Sequence, residues 1–195
     1  MTPRYTRGAK AVPEPSNIAR ITHNLGLATW FGGALFGQIA LNPTISRISD
    51  RRERGRVLNE SWGRFNAVIF ATIAATVLTW RLGGLRGDAE LKAPALARAK
   101  NLLLGGAVIN GIASGVMGAR IAKEAPEGAP EGGTPVEAGT QPAPETPEGA
   151  ARAQRLISIT GPSALSLLAL VIALSTVIDS SAVKPRGILS RILTS

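Results

Sequence analysis

The chain has 195 residues, with 22 Lys and Arg against 13 Asp and Glu, and no cysteine. That length suits a single domain, and the missing thiol excludes disulfides, thiolate metal sites and cysteine nucleophiles. A formal charge of +9 admits either nucleic acid or anionic lipid as a partner. Here the basic residues bracket nearly charge-free runs, and the aromatics that would stack on single strands are few, so lipid is the partner read from the sequence and nucleic acid is not.

Residues 1–20 form a basic arm carrying Arg4, Arg7 and Lys10 with three prolines in its first seventeen residues, and no apolar core of the kind a signal peptide needs. Residues 21–123 are read as three transmembrane helices with basic loops. The first span, 21–41, is apolar apart from His23, Asn24 and Gln38. It should stop at Asn42-Pro43, because proline restricts the residue before it and lacks a donor. The second span, 65–80, is bracketed by Trp62 and Trp80 as interfacial anchors would bracket it. It is short, so its helix is predicted to begin earlier, in the loop 46–64. There Arg47, Arg51, Arg52, Arg54 and Arg56 are expected to rest on lipid headgroups. The third span, 102–121, should belong to a longer helix opened by Pro94, a residue suited to a first turn.

The segment 124–151 is predicted to be a flexible linker. Between 124 and 149 it holds six Pro and six Glu and repeats Pro-Glu-Gly three times, a composition poor in apolar surface to bury. The fourth helix, 152–180, carries its apolar run at 156–178, with a kink or a loosened first turn expected at Pro162. Residues 181–195 read as a basic amphipathic tail. The sequence therefore predicts an all-α protein: a four-transmembrane-helix bundle with a disordered Pro/Glu-rich linker between helices 3 and 4. Each run is long enough for about 30 Å of hydrocarbon, and the runs lack the alternation of barrel strands. The termini and middle loop hold twelve basic residues against ten on the other side. This excess favours cytoplasmic termini in a multi-pass protein of the cell membrane.

Between helices in lipid, association depends on close backbone approach. Small residues four apart line each of the first three spans: Gly33 and Gly37, with Gly26, in the first; Ala67, Ala71 and Ala75 in the second; Ala107, Gly111 and Gly115 in the third. These stripes can pack within the chain or recruit another subunit. The fourth span, surrounded by leucines, is predicted to be the most lipid-exposed.

Chemistry is sparse. His23 is the only histidine; it is read as structural or interfacial, with a haem or quinone contact and proton handling as alternatives. No Asp, Glu, Lys or Arg lies at the centre of a span, which argues against a proton pump or charged-substrate transporter acting alone. Asn24, Gln38, Asn66 and Asn110 are candidates for cross-helix bonding or for a polar cavity. No phosphate loop, zincin motif or nucleophile elbow occurs. No enzyme activity, metal or cofactor is predicted.

His23, Trp30, Gly32-Gly33 and the following Asn42-Pro43 resemble the pattern of small four-helix bacterial proteins like the copper-resistance D membrane domain. That resemblance implies a four-helix membrane fold. One histidine and two methionines depart from the ligand set that copper handling wants. The overall plan, with four spans, a Pro/Glu linker and a basic tail, resembles accessory subunits of actinobacterial respiratory complexes. It implies a non-catalytic subunit whose partners are other membrane proteins. A small homo-oligomeric permease-like protein, or a haem- or quinone-binding protein using His23, are the alternatives.

Overall fold

A computed structural model describes residues 15–82, 90 and 93–182. The expected basic arm, for the most part, and the amphipathic tail lie outside the described residues. The chain is mostly helical, built on α1 (Pro15–Phe36), α2 (Arg51–Leu82), α3 (Pro94–Lys123) and α4 (Glu148–Ala182). A two-stranded antiparallel hairpin, β1 (Val136–Ala138) and β2 (Gln141–Pro142), lies between α3 and α4. Three helical stretches, Arg51–Trp80, Pro94–Lys123 and Glu148–Ser180, are long and apolar enough to cross a membrane.

The helix starts follow the sequence. α2 opens at Arg51, inside the basic loop, where the Asp50 carboxylate accepts from the Glu53 backbone N–H at 2.7 Å, satisfying one of the orphan donors of a first turn. α3 opens at Pro94, whose missing N–H costs nothing in a first turn. The exit from α1 is more elaborate than a stop at Asn42-Pro43. The helix widens into a π turn over Gly37–Leu41, with the Asn42 N–H donating to the Gly37 carbonyl. It then continues through Asn42–Thr44 and a tight turn at Ile45–Arg47 before Ile48 becomes extended. A proline clashes with the carbonyl four residues before it, and the wider turn lies just ahead of Pro43.

Neighbouring helices run antiparallel. A Cβ on Gly26 would meet Thr76, one on Gly33 would meet Phe65 and one on Gly37 would meet Trp62, so α1 ascends as α2 descends. In the same sense Ser114 of α3 bonds Thr160 of α4, and Trp80 of α2 donates to Asn101 of α3. The central core takes two residues from each helix: Leu27 and Trp30, Ile69 and Ile73, Leu104 and Ala107, Leu168 and Val171. Spacings of three or four on each helix put every pair on one face.

The most extensive contact is α3 on α4, then α1 on α2; the two pairs meet more sparsely. This corrects the expectation that the fourth span is the peripheral one. Ala164, Leu168, Val171 and Ile178 are buried, while Leu156, Ile159, Leu170 and Val177 face outward. Seven-residue spacing along this long helix gives it one packed face and one free face. The helix passes Pro162 without interruption.

A second correction concerns the segment between α3 and α4. Residues 124–147 hold a defined conformation rather than an open chain. Two of its Pro-Glu-Gly repeats are turns: the Ala129 N–H bonds the Pro126 carbonyl and the Gly133 N–H bonds the Pro130 carbonyl. Gly128 and Gly132 supply the positive φ, 75° and 71°, at the third position that such turns require. Thr134, Pro135 and Val136 then bury themselves against the first turns of α2. Val136 joins Ile45 and Leu58 in a small apolar cluster. The segment therefore forms a cap over one end of the bundle.

Candidate functional site: a capped cavity between two helical hairpins

The cap is held by α2. A Cβ on Gly55 would stand 1.8 Å from the Thr134 carbonyl oxygen, so only glycine lets the cap backbone lie this close. Around it, Arg54 donates to the Glu137 carbonyl at 2.8 Å and Asn59 donates to the Gly132 carbonyl at 2.6 Å. Arg51 pairs with Glu137 at 2.8 Å and Glu145 at 3.3 Å. The Thr134 hydroxyl donates to the Ile121 carbonyl at the end of α3, and the Gly139 N–H to the Asn42 carbonyl beyond α1. Three of the five arginines predicted to meet headgroups thus have protein partners. Arg51 and Arg54 clasp the cap, and Arg56 bonds Glu53 at 2.5–2.8 Å. That bond holds the Glu53 carboxyl below its usual range and lifts the Arg56 guanidinium above its own. Arg47 and Arg52 remain exposed.

Beneath the cap, at the seam between the α1–α2 and α3–α4 hairpins, lies a cavity of about 120 Å³. No ionisable side chain lines it among the described residues. Its wall is graded. Asn42, Asn59, Thr140 and Gln154 stand near the cap; Gln38, Asn66 and Ser114 stand midway; Trp30, Ile69 and Ala164 close the deep end. Several polar groups are already engaged. Asn42 accepts from the Trp62 indole at 3.2 Å, Asn59 serves the cap, and Ser114 bonds Thr160 at 2.7 Å. Gln154 is different. It is 2% exposed, and neither its side-chain oxygen nor its nitrogen has a partner among the described residues. A buried amide left unpaired costs about 1–3 kcal/mol, and such a group in a native fold calls for a reason. Gln38 comes from the π turn, which rotates α1 at this level; single π turns occur often at functional sites.

Of the four amides picked out by sequence, the structure brings Gln38 and Asn66 into the cavity. It leaves Asn24 exposed on the outside of α1 and turns Asn110 back on its own helix, donating to the Gly106 carbonyl at 2.8 Å. His23 is not at the cavity either. Buried between α1 and α2, its Nδ1–H donates to the Thr76 carbonyl at 3.1 Å, tying the two helices together. Gln154, Ser114 and Asn59 were missed. Gln154 sits in the first turn of the predicted fourth helix, just before its apolar run and between Arg152 and Arg155, and nothing local marks it as buried.

The small-residue stripes divide. In α1 and α3 they receive aromatic side chains from within the chain: Phe65 on Gly33, Trp62 on Gly37, Trp30 on Gly111 and Phe70 on Gly115. Ala107 is fully buried. In α2 the stripe faces away: Ala67 and Ala71 are exposed and Ala75 is half-buried. Gly63, one step earlier in the same register, is also exposed and has nothing near it.

Among the described residues, no three His, Asp or Glu side chains converge on a point that could hold a metal. Fold and site together define a mostly helical protein with three helices long and apolar enough to cross a membrane, and a folded cap over an interhelical cavity. No protein family, characterised protein or solved structure matches the chain.

Proposed function

We propose that all four helices cross the cell membrane and that the protein is a non-catalytic accessory subunit of a larger membrane complex. Support for the fourth crossing comes from α1. From Pro15 through the π turn to Leu41, its helical path covers about 40 Å. It presents Ile18, Ile21, Leu25, Phe36 and Ile39 outward, as the other three helices present their own apolar residues. With four crossings both termini share a side, which the basic-residue excess makes cytoplasmic, and the cap lies on the opposite face with Arg47 and Arg52 free for anionic headgroups.

The observation that carries the subunit reading is the outward stripe Gly63, Ala67 and Ala71 on α2. Glycine within a helix costs about 1 kcal/mol relative to alanine. Lipid tails favour large apolar side chains at least as well as small ones. A small-residue stripe without a partner inside the chain is the surface that a neighbouring helix uses for close approach. The likeness in plan to respiratory accessory subunits points to that kind of assembly. Purification from native membranes in mild detergent tests the reading. Stoichiometric partners should accompany the wild-type chain and be lost from Ala67→Ile/Ala71→Ile. A chain that emerges alone in both cases contradicts it.

A permease-like role is the second reading, favoured by the cavity that Gln38 and Asn66 line. Flux unaltered by leucine at both positions would remove it.

A further inference from the structure

The cavity has a feature that packing does not require. α4 is well packed on α3 along its length, yet Gln154 near its start holds an amide with both ends unsatisfied. Folding pays for this group and gains nothing from it in the chain itself. It lines the same cavity as Gln38 and Asn66, which stand farther from the cap, and the apolar wall formed by Trp30 and Ile69 lies deeper. We propose that this cavity is a binding site for a neutral amphiphile: a hydroxyl- or carbonyl-bearing head bonded by Gln154, with an apolar body reaching past Gln38 and Asn66 toward Trp30. This inference stands apart from the subunit reading, which rests on the outer face of α2.

Three properties of the site set the ligand class. Charge is excluded: an ion would be desolvated in a wall with no counter-charge, at a cost far above that of a neutral group. Both a donor and an acceptor are wanted, because a primary amide offers two N–H donors and a carbonyl acceptor, and a hydroxyl answers both. Size is limited. A cavity of about 150 Å³ holds one benzene ring, so this one takes a head and a few carbons, with any longer tail leaving between the sparsely packed helix pairs. Water alone could fill the polar end, since a buried water needs two to four polar partners. It would leave the apolar end around Trp30 unoccupied.

A photoreactive alkyl diazirine alcohol of eight carbons is the probe, applied to the full chain in lipid nanodiscs. Illumination should label the cavity-lining peptides of α1 and α4, around Gln38 and Gln154. Excess 1-octanol should displace the label, while octanoate and octylammonium should not. Dioleoylglycerol in the nanodisc separates the sources: displacement by it marks a lipid-borne head, and displacement by octanol alone marks a free small molecule. Gln154→Leu should weaken labelling about tenfold, the loss of one buried hydrogen bond. The same variant should melt higher than wild type when no ligand is present, because it relieves an unpaired amide. A Gln154 that only supports the fold predicts the opposite shift. Gln154→Asn, which keeps the amide but withdraws it by one methylene, gives the same loss of labelling if Gln154→Leu fails to fold. Label spread evenly over the outer helix faces, displacement by octanoate as good as by octanol, or labelling unchanged in both variants overturns the proposal and leaves a water-filled void.

Discussion

Replacing Gly55 by alanine isolates the contact on which the cap depends. In a free helix the change would gain about 1 kcal/mol. Here the new Cβ would stand 1.8 Å from the Thr134 oxygen and 2.8 Å from the Thr134 carbonyl carbon, both backbone atoms that cannot rotate aside. Ordinary carbon contacts need about 3.5 Å, so the cap must retreat by roughly 1 Å or more. The Asn59 bond to Gly132 at 2.6 Å and the Arg54 bond to Glu137 at 2.8 Å would then stretch beyond useful length. Each such bond is worth about 1 kcal/mol, and somewhat more where the donor is charged. Two or three lost bonds outweigh the gain in helix propensity and leave a net loss of about 2 kcal/mol. Hydrogen exchange in detergent should show the amides of residues 132–140 losing protection while α3 and α4 keep theirs. A melting temperature equal to or above that of wild type, with protection over the cap intact, refutes the reasoning.

Other positions separate packed from open surface. Gly26→Val should destabilise by about 2 kcal/mol, since the Thr72 carbonyl and Thr76 hydroxyl lie within 3.1 Å of its Cβ position; Gly32→Ala, with nothing within 4 Å, should be neutral or mildly stabilising. Thermal unfolding of the pair checks both. His23→Leu should cost about 1 kcal/mol through its lost bond to the Thr76 carbonyl, and unchanged stability would remove its role as a tie. The Glu53 carboxyl should titrate below the usual range because Arg56 bonds its charged form. A depressed carboxyl favours the folded state above its unfolded pKa, and that favour fades as pH falls through the folded value. Carbon-detected NMR should follow the shift, and Arg56→Ala should abolish it.

Helix positions were legible where the signal was local. Pro94 opens α3 and the basic loop opens α2 because first-turn chemistry is written in adjacent residues. The cap was illegible for a different reason. Its Pro-Glu-Gly repeats do encode turns, but composition alone is equally that of an open chain, and the deciding contacts come from Gly55, Asn59 and Arg54, which lie 73 or more residues away. The cavity was half legible. Gln38 and Asn66 stand out as polar residues in apolar runs, whereas Gln154 lies among Arg152 and Arg155 and becomes conspicuous only when the fold buries it without a partner. Small-residue spacing found the stripes but could not say which way each would face; that depended on where Phe65, Trp62, Trp30 and Phe70 happened to reach.

The central claim is that four helices cross the bilayer beneath a folded cap. The natural chain has no cysteine, so single cysteines report without background. Placed at Asn17, Glu127 and Ser180, all exposed, and challenged with a membrane-impermeant maleimide in sealed vesicles, the first and last should react from one side and the cap position from the other. Asn17 and Ser180 positions reacting from opposite sides would mean that α1 does not cross, and the bundle described above could not stand in a membrane as drawn.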